Sequence, residues 1–165
     1  MFKILIFLFI SLFLVSCTSK NNAFRYFDKA ELEAKGIKAT KKADIVKDKE
    51  VNVIFMATYL NQVDNMKDDT KTEDFLVFTY FSSLDSQNIE DNGYLFFLNE
   101  NEPVSIEKIE KGNEKYKDLM LKNYWGNYYL VKFNNIEIDD DKKSFVLNLV
   151  LQDQASNKVT LGFAK

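Results

Sequence analysis

From Val51 onward the chain is written in short apolar runs with a period of two. Val51, Val53, Phe55, Ala57 and Tyr59 share one side of such a run, and Ile54, Met56 and Leu60 share the other. Phe75, Val77 and Phe81 oppose Leu76, Phe78 and Tyr80 in the same way. Tyr94–Leu98, Val104–Ile109, Tyr128–Phe133, Phe145–Leu151 and Val159–Phe163 continue the series. Polar, turn-prone stretches at 61–74, 85–93, 99–103, 139–143 and 153–158 separate the runs. Side chains of a strand alternate between faces. With a short edge strand at Ala43–Val46, the pattern predicts an antiparallel β-sandwich of about seven to eight strands.

Ahead of the strands the period changes. Phe24, Phe27, Ala30 and Ala34 recur at helical spacing, Asn22 suits an N-cap, and Gly36 suits the terminating position. Ala23–Lys35 is therefore read as an amphipathic helix, with Glu31 and Lys35 forming an i,i+4 pair. Its apolar face either packs on the domain or lies on a membrane surface. Gly112–Gly126 fits a helical turn or a long loop.

Val53–Leu60, Phe75–Phe81 and Phe145–Leu151 are apolar on both faces. A two-layer sandwich buries one face of each strand and leaves the other wet. The spare faces therefore need a cover, either the helix and long loops or a partner.

The first seventeen residues place the chain. Lys3 is followed by the apolar run Ile4–Val15, shorter than the roughly 20 residues that cross a bilayer. A basic start, an apolar middle and a small-residue cleavage site make a secretory signal. Leu14-Val15-Ser16-Cys17 resembles the lipobox of bacterial lipoproteins. The resemblance implies cleavage before Cys17, which becomes lipidated (the palmitate-type anchor) and ties the chain to a membrane. Cys17 is the only cysteine, which argues against a disulfide framework. Thr18 is not the aspartate that retains such proteins in the inner membrane, so the resemblance further implies the outer membrane. Residues 1–16 are then a signal peptide, 17–22 the lipidated cysteine and a short tether, and 23–165 one β-sandwich domain carrying the helix 23–35.

Composition narrows the chemistry. There are 22 basic and 25 acidic residues and a net charge of −3, with no basic run long enough to follow a nucleic-acid backbone. There is no histidine, which removes Ser-His-Asp and Cys-His catalysis and the usual zinc and copper sites. Five glycines form neither a phosphate loop nor a dinucleotide fingerprint. No cofactor, metal or catalytic residue is expected, and the chain is read as a non-enzyme. The tracts Asp68-Asp69 and Asp139-Asp140-Asp141 lack the ligand spacing and glycine of a calcium loop, and the second reads as a solvated hairpin turn.

One cluster stands out. Tyr124-Trp125-Gly126-Asn127-Tyr128-Tyr129 offers flat aromatic faces beside an amide, suited to a sugar, a peptide or a stacked ring. Tyr124, Trp125 and Tyr128 are its candidate binding residues. The favoured reading of the cluster is nevertheless a loop-to-strand junction in which Trp125 plugs one end of the core, because alternation along Tyr128–Phe133 already buries half of the rings.

Leader, tether, helix and strand series together resemble small bacterial lipoproteins with an immunoglobulin-like β-sandwich, of the kind found in Campylobacter-like bacteria. The specific part of the likeness covers residues 1–17, and the cysteine pair of antibody domains is missing. The expectation is a lipid-anchored cell-envelope protein, held on the periplasmic side of the outer membrane. It is read as a non-catalytic protein–protein interaction or assembly module, with an envelope protein or a second copy as partner. The alternative is a surface adhesin that grips a glycan or host protein through Tyr124–Tyr129.

Overall fold

A computed structural model describes residues 23–67, 71–82, 84–123, 125–135, 144–152 and 154–164. Cys17, Tyr124, Asp68-Asp69 and Asp139–Asp141 lie outside the described residues. The chain divides into two units, Met1–Ala30 and Glu31–Lys165. The second holds every strand.

Among the described residues eight strands form, as the period of two predicts: β1 (Thr40–Lys47), β2 (Glu50–Tyr59), β3 (Thr72–Phe81), β4 (Tyr94–Leu98), β5 (Ser105–Ile109), β6 (Asn127–Asn134), β7 (Ser144–Leu151) and β8 (Gln154–Ala164). They build two antiparallel sheets, one ordered β1-β2-β3-β6-β5 and the other β4-β7-β8. The mainly β, sandwich-like architecture expected from the sequence is the one found.

Between the sheets lies the larger core. Phe55, Phe75, Val77, Val131 and Phe133 of the five-stranded sheet meet Phe96, Phe145, Leu147, Leu149 and Leu161 of the three-stranded one. Phe75 packs edge-on to Phe133 and to Phe163, with ring centroids 6.0 and 5.2 Å away. The spare face of the five-stranded sheet makes a second core from Leu76, Phe78, Tyr128 and Leu130. Ala39 at the end of helix α1 (Ala23–Ala39), Leu60–Met66 after β2, and Tyr116 with Leu119 in the long β5–β6 connection cover it. Helix end and loops thus supply the cover on this side.

The helix runs on through Gly36 to Ala39, past the stop expected at that glycine. Gly36 is buried, and a Cβ there would lie 2.4 Å from Leu119. Its role is close approach of the covering loop, not termination. The expected Glu31–Lys35 pair forms at 2.9 Å, and Lys35 also reaches Asp64 at 2.5 Å. That second contact ties the helix to the turn after β2, and the two carboxylates hold the Lys35 ammonium above its usual range.

β1 starts at Thr40 and not Ala43, and β8 at Gln154 and not Val159. Pairing explains both extensions. Thr40 sits opposite Thr58 with their hydroxyls 2.7 Å apart, and Gln154 lies opposite Leu151 beyond a bulge. β3 likewise begins at Thr72, which draws Glu73 and Asp74 from the expected polar separator into the sheet, where both are buried.

Buried phenols make the fold sensitive to alkali. Burial raises the pKa of Tyr59, Tyr94, Tyr128 and Tyr129, and Tyr59 is raised further because its hydroxyl donates to Glu73. An unfolded phenol titrates near pH ~10, so above that pH only the unfolded chain sheds these protons. Stability is therefore intact below that value and falls as pH rises beyond it. Urea unfolding on either side of that pH is expected to show a falling midpoint, with a further rise in phenolate absorbance as the chain unfolds. An unchanged midpoint would contradict this account.

Candidate functional site

Where β6 begins, the chain is forced against β3. A Cβ on Gly126 would lie 2.3 Å from the Thr79 carbonyl oxygen and 2.4 Å from the Phe78 ring. Only glycine fits there without movement. The β3–β6 ladder ends one residue later, at Thr79 opposite Asn127. Beyond it the Gln87 side chain stands in for a strand: Phe81 N–H donates to Gln87 Oε1 (2.9 Å), and Gln87 Nε2 donates to the Phe81 carbonyl (2.8 Å).

With the inward path filled, Trp125 turns out. It is 72 % exposed, and its ring lies 6.3 Å from that of Tyr80 at 42°. Tyr80 is half-buried and sits opposite Ile54, which sits opposite Asp44. Asp44, Ile54 and Tyr80 thus form one cross-strand row ending at the indole. Asp44 is engaged by Lys42 Nζ at 3.0 Å.

More apolar surface collects at the same end of the sheet. Val46 and Val51, paired in the β1–β2 hairpin, are 59 % and 41 % exposed, and Leu84 after β3 is 41 % exposed. Ser82 pins the group, its hydroxyl donating to the Val51 carbonyl at 2.6 Å. The hairpin turns through Asp48 and Lys49, both at positive φ (53° and 72°).

The expected aromatic segment is therefore split. Tyr128 is buried in the second core, and its hydroxyl accepts from the Leu121 N–H at 2.5 Å. Tyr129 faces the main core and accepts from the Ile89 N–H at 3.1 Å. Trp125 stays outside and plugs nothing. The cause is the close approach at Gly126, which the sequence does not display as a contact.

Behind this end the β3–β4 loop is cross-braced. Asp91 accepts from Ser86 Oγ (2.6 Å) and Asn88 Nδ2 (3.0 Å), and these bonds hold its carboxyl below the ordinary range. Asn127 Nδ2 donates to the Gln87 carbonyl (2.9 Å) and to Asn88 Oδ1 (3.0 Å), and Lys108 Nζ donates to Asn88 Oδ1 (2.8 Å). The loop is a brace for the Trp125 end.

Two buried carboxylates escaped the sequence reading. Glu73 faces the main core, where Tyr59 donates to it and Asn61 Nδ2 lies at 2.9 Å. Asp74 points to the opposite face, with neither oxygen hydrogen-bonded and Lys132 Nζ at 3.9 Å. Neighbours on a strand point to opposite faces, so the two do not form a catalytic pair. Both end a polar stretch just before the apolar run that starts at Phe75, so the sequence carries no signal of their burial. Among the described residues, no three His, Cys, Asp or Glu side chains gather in a way that could hold a metal ion.

A second apolar surface lies on the outer side of the three-stranded sheet. Leu95 opposes Val150 there, and Val146 opposes Gly162. Leu95 and Val146 are 39 % and 38 % exposed, and Phe97 and Val150 are half-buried. No family model, no curated protein and no solved structure matches this chain.

Exposure and close approach predict opposite responses at adjacent residues. Trp125→Ala is expected to change unfolding free energy by about 0.5 kcal/mol or less, as surface substitutions do. Gly126→Ala is expected to cost about 2 kcal/mol through overpacking against β3. Urea denaturation of both variants measures this, and a large loss for Trp125→Ala would place the indole in the core.

Proposed function

We propose that this protein is a lipid-anchored, non-catalytic module of the bacterial cell envelope that holds another envelope protein. In this reading Cys17 carries the anchor and the domain works on the periplasmic side of the outer membrane. The carrying observation is the outer face of the three-stranded sheet. Its spare side keeps Leu95, Phe97, Val146 and Val150 partly in water, while most of the spare side of the other sheet is closed by its own chain. Asn148, bonded to Thr160, shares this face between Val146 and Val150, and apolar side chains gathered this way on an exposed sheet face suit a protein contact.

Other features support the same reading. Glu73 and Asp74 sit on opposite faces of β3, an arrangement for folding and not for acid–base chemistry. Among the described residues no helix is long and apolar enough to cross a membrane, and the reading relies on Cys17 for attachment. A second reading, a surface adhesin that grips a glycan or host protein, is favoured by the exposure of Trp125. Protease treatment of intact cells separates the two. Digestion favours the adhesin, and protection until the outer membrane is opened favours the periplasmic module.

The partner face has its own test. Leu95→Glu with Val146→Glu is expected to leave the fold within about 1 kcal/mol of wild type, because both sites are partly solvated. Cross-linking in intact cells is expected to give a protein adduct for wild type and none for this variant at equal abundance. An adduct that survives the double substitution rules this face out.

A further inference from the structure

The tight turn that leads into β4 contains a chemically reactive step. Asn92-Gly93 is the one place in the chain where glycine follows asparagine. Asparagine is a labile residue because the next backbone nitrogen can attack its side-chain amide. Glycine favours that attack, since it has no Cβ to shield the nitrogen and leaves the backbone free to turn. We infer that Asn92 is a deamidation site that the native turn holds closed, and that its conversion keeps the β3–β4 loop from closing again.

Both reacting groups are tied down in the fold. Tyr94 N–H donates to the Ile89 carbonyl (3.0 Å) and Gly93 N–H to the Glu90 carbonyl (3.1 Å). These are the two bonds of a Schellman closure, and Gly93 takes the positive φ (69°) that such a closure places on its glycine. The apolar pair that accompanies it, Ile89 and Tyr94, is buried in the main core. The Asn92 side chain is fixed as well, with Nδ2 donating to the Ser86 and Asn88 carbonyls at 2.9 Å each. Attack requires the Gly93 nitrogen to swing toward Asn92 Cγ. That movement breaks both turn bonds and both side-chain bonds, so it waits for the loop to open.

Once the loop is open, the chemistry runs one way. The Gly93 nitrogen bonds to Asn92 Cγ, the Cγ–Nδ2 bond breaks, and ammonia leaves with the proton of the Gly93 N–H. Water then opens the cyclic imide at one carbonyl or the other, giving aspartate or isoaspartate at position 92. A carboxylate has no N–H to offer the Ser86 and Asn88 carbonyls, and it stands beside two further acids, Glu90 and Asp91. Isoaspartate also inserts a methylene into the backbone inside both rings of the turn, which then no longer fit. The loss reaches the core, because Ile89 N–H donates to the Tyr129 hydroxyl and the Tyr94 ring lies 5.3 Å from that of Phe81.

The purified full chain is incubated at mildly alkaline pH, either folded or in urea beyond its unfolding midpoint. Peptide mapping follows amide-to-acid conversion at Asn92. Conversion is expected in urea and is expected to be at least about tenfold slower in the folded chain, where the closed-to-open ratio of the loop divides the rate. Equal rates in the two states, or no conversion in urea, overturn the inference. Asn92→Asp supplies the aspartate product directly. It is expected to lower the urea midpoint and to speed hydrogen exchange at the Tyr94 amide several-fold. A wild-type midpoint with wild-type exchange in that variant would show that the converted loop still closes, and would overturn the second half of the inference.

Discussion

Both faces of β2, β3 and β6 carry large apolar side chains, and neither can be left in water. Burying one such side chain is worth about 1.5–3 kcal/mol, so an open face of this size would offset much of a small domain's margin. The sandwich closes the inner face. The outer face has to be closed from within the same layer of chain, by the end of α1, the turn after β2 and the long β5–β6 connection. That demand explains details that look local. Gly36 is small because Leu119 presses on it, and Leu121 is drawn in by the Tyr128 hydroxyl. The connection then has to leave the outer face and enter β6 within a few residues, hugging β3 at Gly126. Trp125 falls just past the point where the cover stops. Its exposure is a consequence of how the second core is sealed.

Much of this was readable from the sequence. The strand series follows from the period of two, and the need for a second cover follows from strands apolar on both faces. What escaped were the places where one segment touches another. Gly36 has the composition of a helix stop, but its environment is set by a loop more than eighty residues away. Gly126 looks like a turn residue, and its task is to pass a backbone. Tyr128 and Trp125 carry similar promise as letters, yet one is buried and the other is free. Periodicity reports which face a residue is on. It does not report what covers that face.

The edges are handled by ordinary means. The β4 edge is occupied near both ends, since Tyr94 N–H donates to the Ile89 carbonyl and Leu98 N–H to the Asn101 carbonyl. β5 is short, follows the only proline, and carries Glu107 and Lys108, all of which discourage an added strand. Contact surface is therefore more readily found on faces and ends than on strand edges.

A sheet that is apolar on both sides has a further difficulty. Alternation normally fixes register, because a slip of one residue turns the apolar set toward water. In β3 a slip would exchange Phe75 and Val77 for Leu76 and Phe78, at little cost in burial. The polar residues at its start remove that freedom. Asn61 bonds the Thr72 carbonyl, the Glu73 carboxylate and the Asp74 N–H together, and Tyr59 fixes Glu73 from the neighbouring strand. Lys132 stands opposite Asp74 on the other side. Shifted by one, Asp74 would enter the aromatic core and Glu73 would lose Tyr59. At the far end Gln87 matches one backbone position only, that of Phe81. Buried charge in this strand is therefore best understood as register control, and it holds Tyr80 at the one position where Trp125 can lie against it.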